Sequence, residues 1–306
     1  MKKVLIYGLV ILVIVIIIGL GAGVNYLFNY AVVAGKKDFI NDVKQEKIDK
    51  DWQFSANHLS EWTINSDDGL KLVAKKVTHD TPSKKVAIVA HGYMGKSDLM
   101  GQYAQLFYDD GFDVLVPDNR AHGKSEGKYV GFGWLDRNDY VKWINTVIKE
   151  YGEQVDIVLY GLSMGAATVM MTSGEKLPEQ VKVIIEDCGY DSVNNELAFQ
   201  LNDMFHLPSF PMIPLASGYT KLRAGYSFSE ASAVKQLEKN RLPMLFIHGD
   251  QDDFVPKEMV YEVYNATKGP KELVIFEGAK HADSLKKHPE EYKKTIETFL
   301  AKYLPK

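Results

Sequence analysis

A serine framed by two glycines, Gly161-Leu162-Ser163-Met164-Gly165, constrains the fold of this chain more than any other feature of its sequence. It follows the apolar run Val155–Tyr160, which is typical of a buried strand, and it leads into a small-residue segment that favours a helix. A sharp strand-to-helix turn brings backbone segments close together, so glycine on either side of the serine avoids side-chain collisions. The pattern therefore predicts a serine hydroxyl that projects from the end of a sheet strand.

Other apolar, β-branched runs alternate with amphipathic segments along the chain. The predicted strands are Leu70–Val77, Val86–Ala90, Val114–Pro117, Val155–Tyr160, Val181–Glu186, Met244–His248 and Leu273–Phe276. The predicted helices are Leu99–Tyr108, Asp139–Lys149, Met164–Ser173, Pro256–Tyr264 and Pro289–Tyr303. Strands that are apolar almost throughout, each followed by a helix, predict an α/β fold with a mostly parallel central sheet flanked by helices on both faces.

A serine hydroxyl is a weak nucleophile until a base removes its proton, so the chain needs a histidine and an acid to activate Ser163. The strand that ends at His248 is followed by the acidic loop 250–253, and the last predicted strand is followed by His281. Open α/β sheets place their sites beyond the carboxyl ends of strands, and serine, acid and histidine occur here in the expected chain order. We predict that Ser163 is a nucleophile and His281 its general base, and this order leaves the choice of acid open.

Residues 62–306 resemble the α/β hydrolases, and in particular their serine-aminopeptidase-like and esterase branch. The loop from His248 to Pro256 follows that branch's HGxxDxxVP pattern, which implies that Asp252 is the catalytic acid, with Asp253 as the next candidate. The resemblance implies the α/β-hydrolase fold and a triad of Ser163, Asp252 and His281. No cofactor is expected for such a triad, and the absence of an HExxH pattern makes a metal site unexpected.

The negative oxygen that forms when a serine attacks a carbonyl needs backbone N–H donors, which constitute an oxyanion hole. Met164 provides the first predicted donor because it follows the nucleophile. The segment His91-Gly92-Tyr93-Met94-Gly95 resembles the family's oxyanion segment, which implies the N–H of Tyr93 as the second donor. The segment Asp118–Ser125 resembles another family pattern, with Ala121 in place of a glycine, and is expected to be scaffold.

The resemblance also implies a lid at about residues 189–229, where prolines interrupt an apolar segment without a strand pattern. Apolar residues in a lid would suit an acyl or aromatic group in the pocket. They would equally serve to pack the lid onto the core, and the sequence does not separate these two interpretations.

The first 34 residues have the apolar composition that is typical of a membrane-spanning segment. The run Val4–Leu20 contains no charged residue and reaches roughly 26 Å at about 1.5 Å per residue. Continued to Val33, it exceeds the hydrocarbon thickness of roughly 30 Å, so we expect residues 1–34 to form a single transmembrane anchor. A cleaved secretory signal is the alternative, because small residues follow at 21–23 and at Ala34, but the apolar part of a signal is usually only about 7–15 residues long.

Lysines and acids alternate from Lys36 to Asp51, which predicts a charged stalk over residues 35–61 and a catalytic domain over 62–306. The lysines after the anchor outnumber the two before it, which favours a cytoplasmic domain, but long domains translocate largely regardless of charge. Because the segment begins like a signal anchor, we expect a single-pass cell-membrane protein with its domain on the extracytoplasmic side.

Three functions remain open from the sequence. The leading one is hydrolysis of a carboxylic ester through an acyl-enzyme, as in a carboxylesterase or lipase, with a small ester or amide whose acyl part is apolar. An aminopeptidase or amidase would use the same triad but needs acids to hold an α-ammonium, and none is assignable. A non-catalytic surface-binding protein would keep only the fold.

Composition excludes other classes of function. The net charge of -4 gives no basic surface for nucleic acid. The single cysteine, Cys188, excludes an internal disulfide and is expected to be buried.

Overall fold

The computed structural model describes residues 2–35, 37, 50–81 and 83–304. Its strands are β1 Leu59–Asn65, β2 Lys71–Val77, β3 Lys85–Ala90, β4 Asp113–Pro117, β5 Asp156–Leu162, β6 Val181–Asp187, β7 Met244–Gly249 and β8 Lys271–Phe276. Its α-helices are α1 Lys2–Ala31, α2 Gly101–Asp109, α3 Asp136–Tyr151, α4 Met164–Thr172, α5 Val193–Phe205, α6 Ser209–Ala224, α7 Ala233–Leu237, α8 Glu258–Ala266, α9 Ser284–Lys287 and α10 Pro289–Tyr303. Single 3-10 turns lie at Ala56–His58 and Ser97–Met100.

The strands form one eight-stranded sheet in the order β1-β2-β4-β3-β5-β6-β7-β8. The pairs β1/β2 and β2/β4 are antiparallel, and β3 to β8 run parallel to one another. Helices cover both faces, so a separate hydrophobic core lies on each side of the sheet. The predicted α/β-hydrolase fold with a mostly parallel sheet flanked by helices is confirmed.

The first strand was not predicted from the sequence. β1 is an edge strand whose side chains are mostly exposed, and only alternate apolar residues such as Trp62 and Ile64 turn toward the protein. An edge strand with one solvated face has no continuous apolar run, and the predicted domain start at residue 62 falls inside it.

The expected charged stalk covers residues 35–61, of which 36 and 38–49 lie outside the described residues. In the last part of this range, two aromatic side chains contact the domain. The Trp52 Nε1–H donates to the carbonyl of Asp98 at 2.7 Å, and the Phe54 ring meets that of Tyr108 edge-on at 5.1 Å. Aromatic residues preceding β1 therefore pack onto the domain.

Helix α1 has two halves with different surroundings. Its apolar part is long enough to cross a membrane, and the side chains from Val4 to Ile18 are exposed. Beyond Gly23 the helix packs against the domain: Val24 and Phe28, four residues apart on one face, are 7% and 1% exposed. The second half of α1 is therefore part of the folded body.

The segment between β6 and β7 folds as three helices, α5, α6 and α7, over the carboxyl ends of the strands. Ser192 caps α5 by accepting the Asn195 N–H at 3.2 Å, and His206 ends the helix in a left-handed conformation. The segment predicted to be a lid, 189–229, contains α5 and α6, and α6 lies against the second half of α1.

Candidate active site

The turn between β5 and α4 carries Ser163 in a strained conformation, with φ of 56° and ψ of −116°. A Cβ on Gly161 would lie 2.1 Å from the Gly165 carbonyl oxygen, and a Cβ on Gly165 would lie 2.2 Å from the Ala90 carbonyl oxygen. Any side chain at either position would force these backbones apart. The two glycines thus allow the sharp turn that the sequence predicts.

The structure brings Ser163, His281 and Asp252 together, although they are distant in the chain. His281 Nε2 lies 2.8 Å from Ser163 Oγ, and His281 Nδ1 lies 2.8 Å from Asp252 Oδ2. A carboxylate only accepts hydrogen bonds, so Nδ1 carries the proton and Nε2 is left to accept the serine hydroxyl. This is the protonation state that a general base requires.

The side chain of Asp252 is buried and accepts hydrogen bonds from several sides. Its Oδ1 accepts the N–H groups of Phe254 and Val255, each at 2.9 Å, and its Oδ2 lies 3.3 Å from His248 Nε2. Burial alone would raise the pKa of Asp252, but the hydrogen bonds from His248 and His281 outweigh it and hold the pKa below its usual range. The carboxylate is therefore ionised at neutral pH.

The two predicted oxyanion donors lie beside the serine. Met164 is the first residue of α4, and the first N–H groups of a helix have no partner within it. A Cβ on Gly92 would lie 3.4 Å from Ser163 Cβ, so the loop that carries Tyr93 passes directly against the nucleophile. The two predicted donors thus lie in segments that contact the predicted nucleophile.

Two buried histidines accept hydrogen bonds from backbone N–H groups in and around the loop 91–95, and both are neutral. His91 Nε2 accepts the Asn119 N–H at 2.9 Å, and His122 Nε2 accepts the Met94 N–H at 3.1 Å. Burial lowers the pKa of His91 to about 3 and that of His122 to about 4. Both side chains are fixed acceptors, and for His122 this agrees with the scaffold role expected of the segment Asp118–Ser125.

An apolar pocket opens at Ser163. Its walls come from α1, the loop 91–95, the loop before α3 and the predicted lid: Leu27, Tyr30, Ala31, Tyr93, Phe132, Leu197, Leu201, Met204, Phe205, Ile213 and Ala216. Phe254, whose ring centre is 4.9 Å from that of His281, completes the side near the base. The lid's apolar residues thus line a pocket beside the nucleophile in addition to packing on the core.

Glu196 is the one acid among the described residues that line this largely apolar pocket. Glu196 on α5 is 4% exposed, its Oε1 accepts the Gln200 amide at 3.0 Å, and its Oε2 has no hydrogen-bond partner in the described part of the chain. Burial raises its pKa to about 8, so the carboxyl is largely protonated at neutral pH. Sequence reasoning missed this residue because a lone acid in a lid carries no motif.

The sequence also did not predict the contribution of α1 to the site, because an apolar helix gives no sign that one end lines a pocket.

Two buried acids at the end of β6 were not predicted either. Burial raises the pKa of Glu186 to about 8 and that of Asp187 to about 6. The carbonyl of Asp187 accepts the Ser163 N–H at 2.8 Å and so holds the turn.

Cys188 is buried, as expected, but it lies beside the triad. Its sulfur and donor atoms of Asp252 and His281 lie within 4.8 Å of one another, the one such set found among the described residues. Burial raises the pKa of the thiol, which disfavours the thiolate that binds metals. Asp252 and His281 are also engaged with each other, so this set does not fit a resident metal.

Comparison with known proteins places the chain in a family. Residues 81–189 match the family described as serine aminopeptidase, S33. The uncharacterized protein YqkD of Bacillus subtilis is 31% identical over 305 residues, which cover 98% of this chain and 97% of that protein. A monoacylglycerol lipase of Mycolicibacterium smegmatis is 25% identical over 236 residues, covering 64% and 80% of the two chains.

Solved structures agree on the fold. The esterase Pf2001 of Pyrococcus furiosus superposes with a TM-score of 0.68 at 22% identity, covering 90% of this chain and 98% of that one. Membership of an enzyme family leaves the non-catalytic binding protein without support. The chain belongs to the serine aminopeptidase S33 family of α/β hydrolases and is a hydrolase.

Proposed function

We propose that this protein hydrolyses a carboxylic ester through an acyl-enzyme on Ser163. The observation that carries the proposal is the chain of hydrogen bonds from Asp252 through both ring nitrogens of His281 to the Ser163 hydroxyl, 2.8 Å at each step. This arrangement supplies a nucleophile, a base in the correct tautomer and a buried carboxylate that orients it.

The reaction follows from these positions. Ser163 Oγ attacks the ester carbonyl carbon while His281 Nε2 takes the hydroxyl proton, and the carboxylate of Asp252 stabilises the imidazolium. The N–H groups of Tyr93 and Met164 donate to the oxyanion. The C–O bond to the alcohol then breaks, and the alcohol leaves with the proton from His281. Water attacks the acyl-enzyme by the same route, releases the carboxylic acid and restores Ser163.

An ester with an apolar acyl part suits the pocket best. Aliphatic and aromatic side chains dominate its lining, and the lone acid Glu196 is largely protonated at neutral pH. Two similar proteins, the M. smegmatis lipase and the P. furiosus esterase, carry names that denote ester hydrolysis, which supports the same reaction class here.

An aminopeptidase is the second candidate, and Glu196 is the observation that favours it. Its unpartnered Oε2 lines the pocket, where it would accept a hydrogen bond from the α-ammonium of a peptide. A cation bound there would favour the ionised carboxylate, against the desolvation that now disfavours it. Substrate comparison separates the two activities.

We also propose that residues 1–34 remain attached as a single-pass membrane anchor, with the domain on the extracytoplasmic side. The burial of Phe28 and Val32, 1% and 0% exposed, supports retention of the second half of α1, because cleavage after Ala34 would strip a folded wall from the domain. Cleavage after residues 21–23 would leave that wall in place and remove only the exposed half. The side of the membrane rests on the sequence pattern alone.

The test uses the full chain in detergent micelles. A fluorophosphonate probe is expected to label Ser163, and Ser163→Ala and His281→Ala are expected to lose both the label and p-nitrophenyl ester turnover. Faster release from aminoacyl-anilides than from esters, with loss of that release in Glu196→Gln, would favour the peptidase. A folded chain with neither label nor turnover would refute the catalytic role of the triad.

A further inference from the structure

The pocket at Ser163 has a wall that comes from the N-terminal helix. Leu27, Tyr30 and Ala31 of α1 line the same cavity as Ser163 and Met164. Because Leu27 and Ala31 are four residues apart, they lie on one face of the helix. A ligand that extends from the serine along the cavity would therefore contact the helix whose other half is apolar and exposed.

This wall is fixed to the domain by several contacts. The Tyr93 hydroxyl donates to the Ala31 carbonyl at 2.7 Å, and the Val130 N–H donates to the Val32 carbonyl at 2.8 Å. A Cβ on Gly23 would lie 3.0 Å from the Met212 side chain, so glycine allows α1 to approach α6 closely. The same Tyr93 whose backbone lies at the nucleophile thus holds the end of α1.

The position of the pocket relative to a bilayer follows from helix geometry. About 20 residues span the hydrocarbon core, which places its boundary near Gly23 if the span begins at Val4. At about 1.5 Å per residue, Leu27 then lies roughly 6 Å beyond that boundary. The headgroup layer on each side is roughly 5–8 Å thick, so this wall of the pocket begins at headgroup depth.

Two further features fit a bilayer at this level. Tyr26 and Tyr30 stack at 5.8 Å near the boundary, where aromatic side chains are enriched in membrane proteins. Beyond α1, most of the exposed large apolar side chains of the described chain lie on the lid: Leu207, Phe210, Leu215 and Leu222, exposed by 42%, 76%, 44% and 81%. Exposed large apolar side chains on a segment that packs against a spanning helix are expected to face lipid.

We propose that the pocket takes the acyl chain of a membrane lipid ester directly from the bilayer in which α1 stands, with α1 as the wall against which the chain lies. The proposal rests on the ester hydrolysis proposed above and names its substrate class. The reaction is balanced by water: the ester C–O bond breaks, the lipid alcohol leaves with a proton from His281, and the acyl group departs as a fatty acid. The helix is then both anchor and part of the binding site.

The test places a larger side chain in the pocket wall formed by α1 and leaves Ser163, Asp252 and His281 unchanged. The full chain is reconstituted in phosphatidylcholine vesicles, and turnover is compared for p-nitrophenyl acetate and for octanoyl, lauroyl and oleoyl monoacylglycerols. Leu27→Trp is expected to lower oleoyl turnover at least about tenfold more than it lowers acetate turnover, because a pocket discriminates by apolar volume. Ala22→Trp, on the exposed side of the same helix, is the matched control and is expected to match the wild type.

The outcomes separate the two proposals. If Leu27→Trp keeps wild-type oleoyl turnover, or loses acetate turnover equally, the acyl-wall proposal is wrong while ester hydrolysis stands. If the wild type hydrolyses neither class of ester and takes no fluorophosphonate label, the proposed function itself fails. Ala31→Phe, which fills the same cavity from the next turn, replaces Leu27→Trp if that variant does not fold, and the same outcomes apply to it.

Discussion

The two walls of the pocket are built in different ways. The proposed catalytic wall carries its three side chains beyond the ends of parallel strands of one sheet, Ser163 after β5, Asp252 after β7 and His281 after β8. The acyl wall consists of lid helices and the end of α1, which have no hydrogen-bonded sheet to align them and contact one another through apolar side chains. Backbone ladders fix the first wall. Apolar packing fixes the second, together with single hydrogen bonds such as that from the Val130 N–H to the Val32 carbonyl.

The two walls are therefore expected to respond differently to amino-acid substitutions. A triad depends on hydrogen bonds between specific atoms, so replacing one atom disables it. An apolar wall depends on volume and burial, so its variants alter substrate size preference or stability before they abolish chemistry. The predictions below test that contrast.

The largest effect is expected on the catalytic wall, from a change that preserves shape. Asp252→Asn is expected to lower kcat for ester hydrolysis by about 10³–10⁴, because an amide no longer holds the base tautomer of His281. The control is Asp253→Asn, an exposed carboxylate paired with Lys280 at 2.6 Å, for which less than about a fivefold loss is expected. Equal losses of kcat in both variants would mean that Asp252 is not the specific partner of His281.

The next effect concerns the stability of the acyl wall. Phe28→Ala removes a ring that is 1% exposed, and the cavity that it leaves is expected to lower the free energy of unfolding by about 3–5 kcal/mol. Ile16→Ala, on the exposed half of α1, is expected to change it by less than about 0.5 kcal/mol. Chemical denaturation in detergent measures both variants, and equal values would mean that the two halves of the helix do not differ.

A third prediction uses pH. The folded pKa of Glu196, about 8, lies above the ordinary 4.5, so the stability that this group contributes is fully present below pH 4.5 and is lost as pH rises through 8. Glu196→Gln keeps the shape of the side chain and is expected to flatten the fall of the unfolding free energy across that range. Part of the slope is expected to remain, because Glu186 has a similarly raised pKa. An unchanged slope in denaturation curves would contradict the protonated Glu196.

The smallest effect is expected at the link between the walls. Tyr93→Phe removes the hydrogen bond to the Ala31 carbonyl and is expected to cost about 1 kcal/mol of unfolding free energy. KM for long-chain esters is expected to rise more than kcat falls, because the backbone of the loop is unchanged. Tyr261→Phe, at a side chain that is 42% exposed, is the control. A collapse of kcat for acetate would instead mean that the hydroxyl itself takes part in the chemistry.

The difference between the two walls also explains which parts of the fold and the candidate site can be predicted from the sequence. The positions of Ser163, His281 and the parallel strands are predictable because each rests on a local pattern, an apolar run followed by a turn with its characteristic residues. Choosing Asp252 over its neighbours required the family resemblance as well, since three acids share the loop. These parts of the fold and site depend on short stretches of chain.

The acyl wall is not predictable in that way. Leu27 in α1 and Glu196 in α5 reach the pocket only through packing between segments distant in the chain, and neither belongs to a motif. The edge strand β1 is hard to predict from the sequence for a related reason. It pairs with one strand only and is half exposed, so its residues alternate between polar and apolar and form no continuous apolar run.

One labelling experiment tests whether a substrate bound to Ser163 reaches the end of α1 through the pocket that both line. A fluorophosphonate with a long alkyl chain and a terminal diazirine is reacted with the full chain in vesicles, irradiated and mapped by mass spectrometry. The account predicts phosphonylation of Ser163 and a photo-cross-link from the chain end to the part of α1 that contains Leu27 and Ala31 or to the facing lid helices. A label at Ser163 whose cross-links reach neither α1 nor the lid would contradict it.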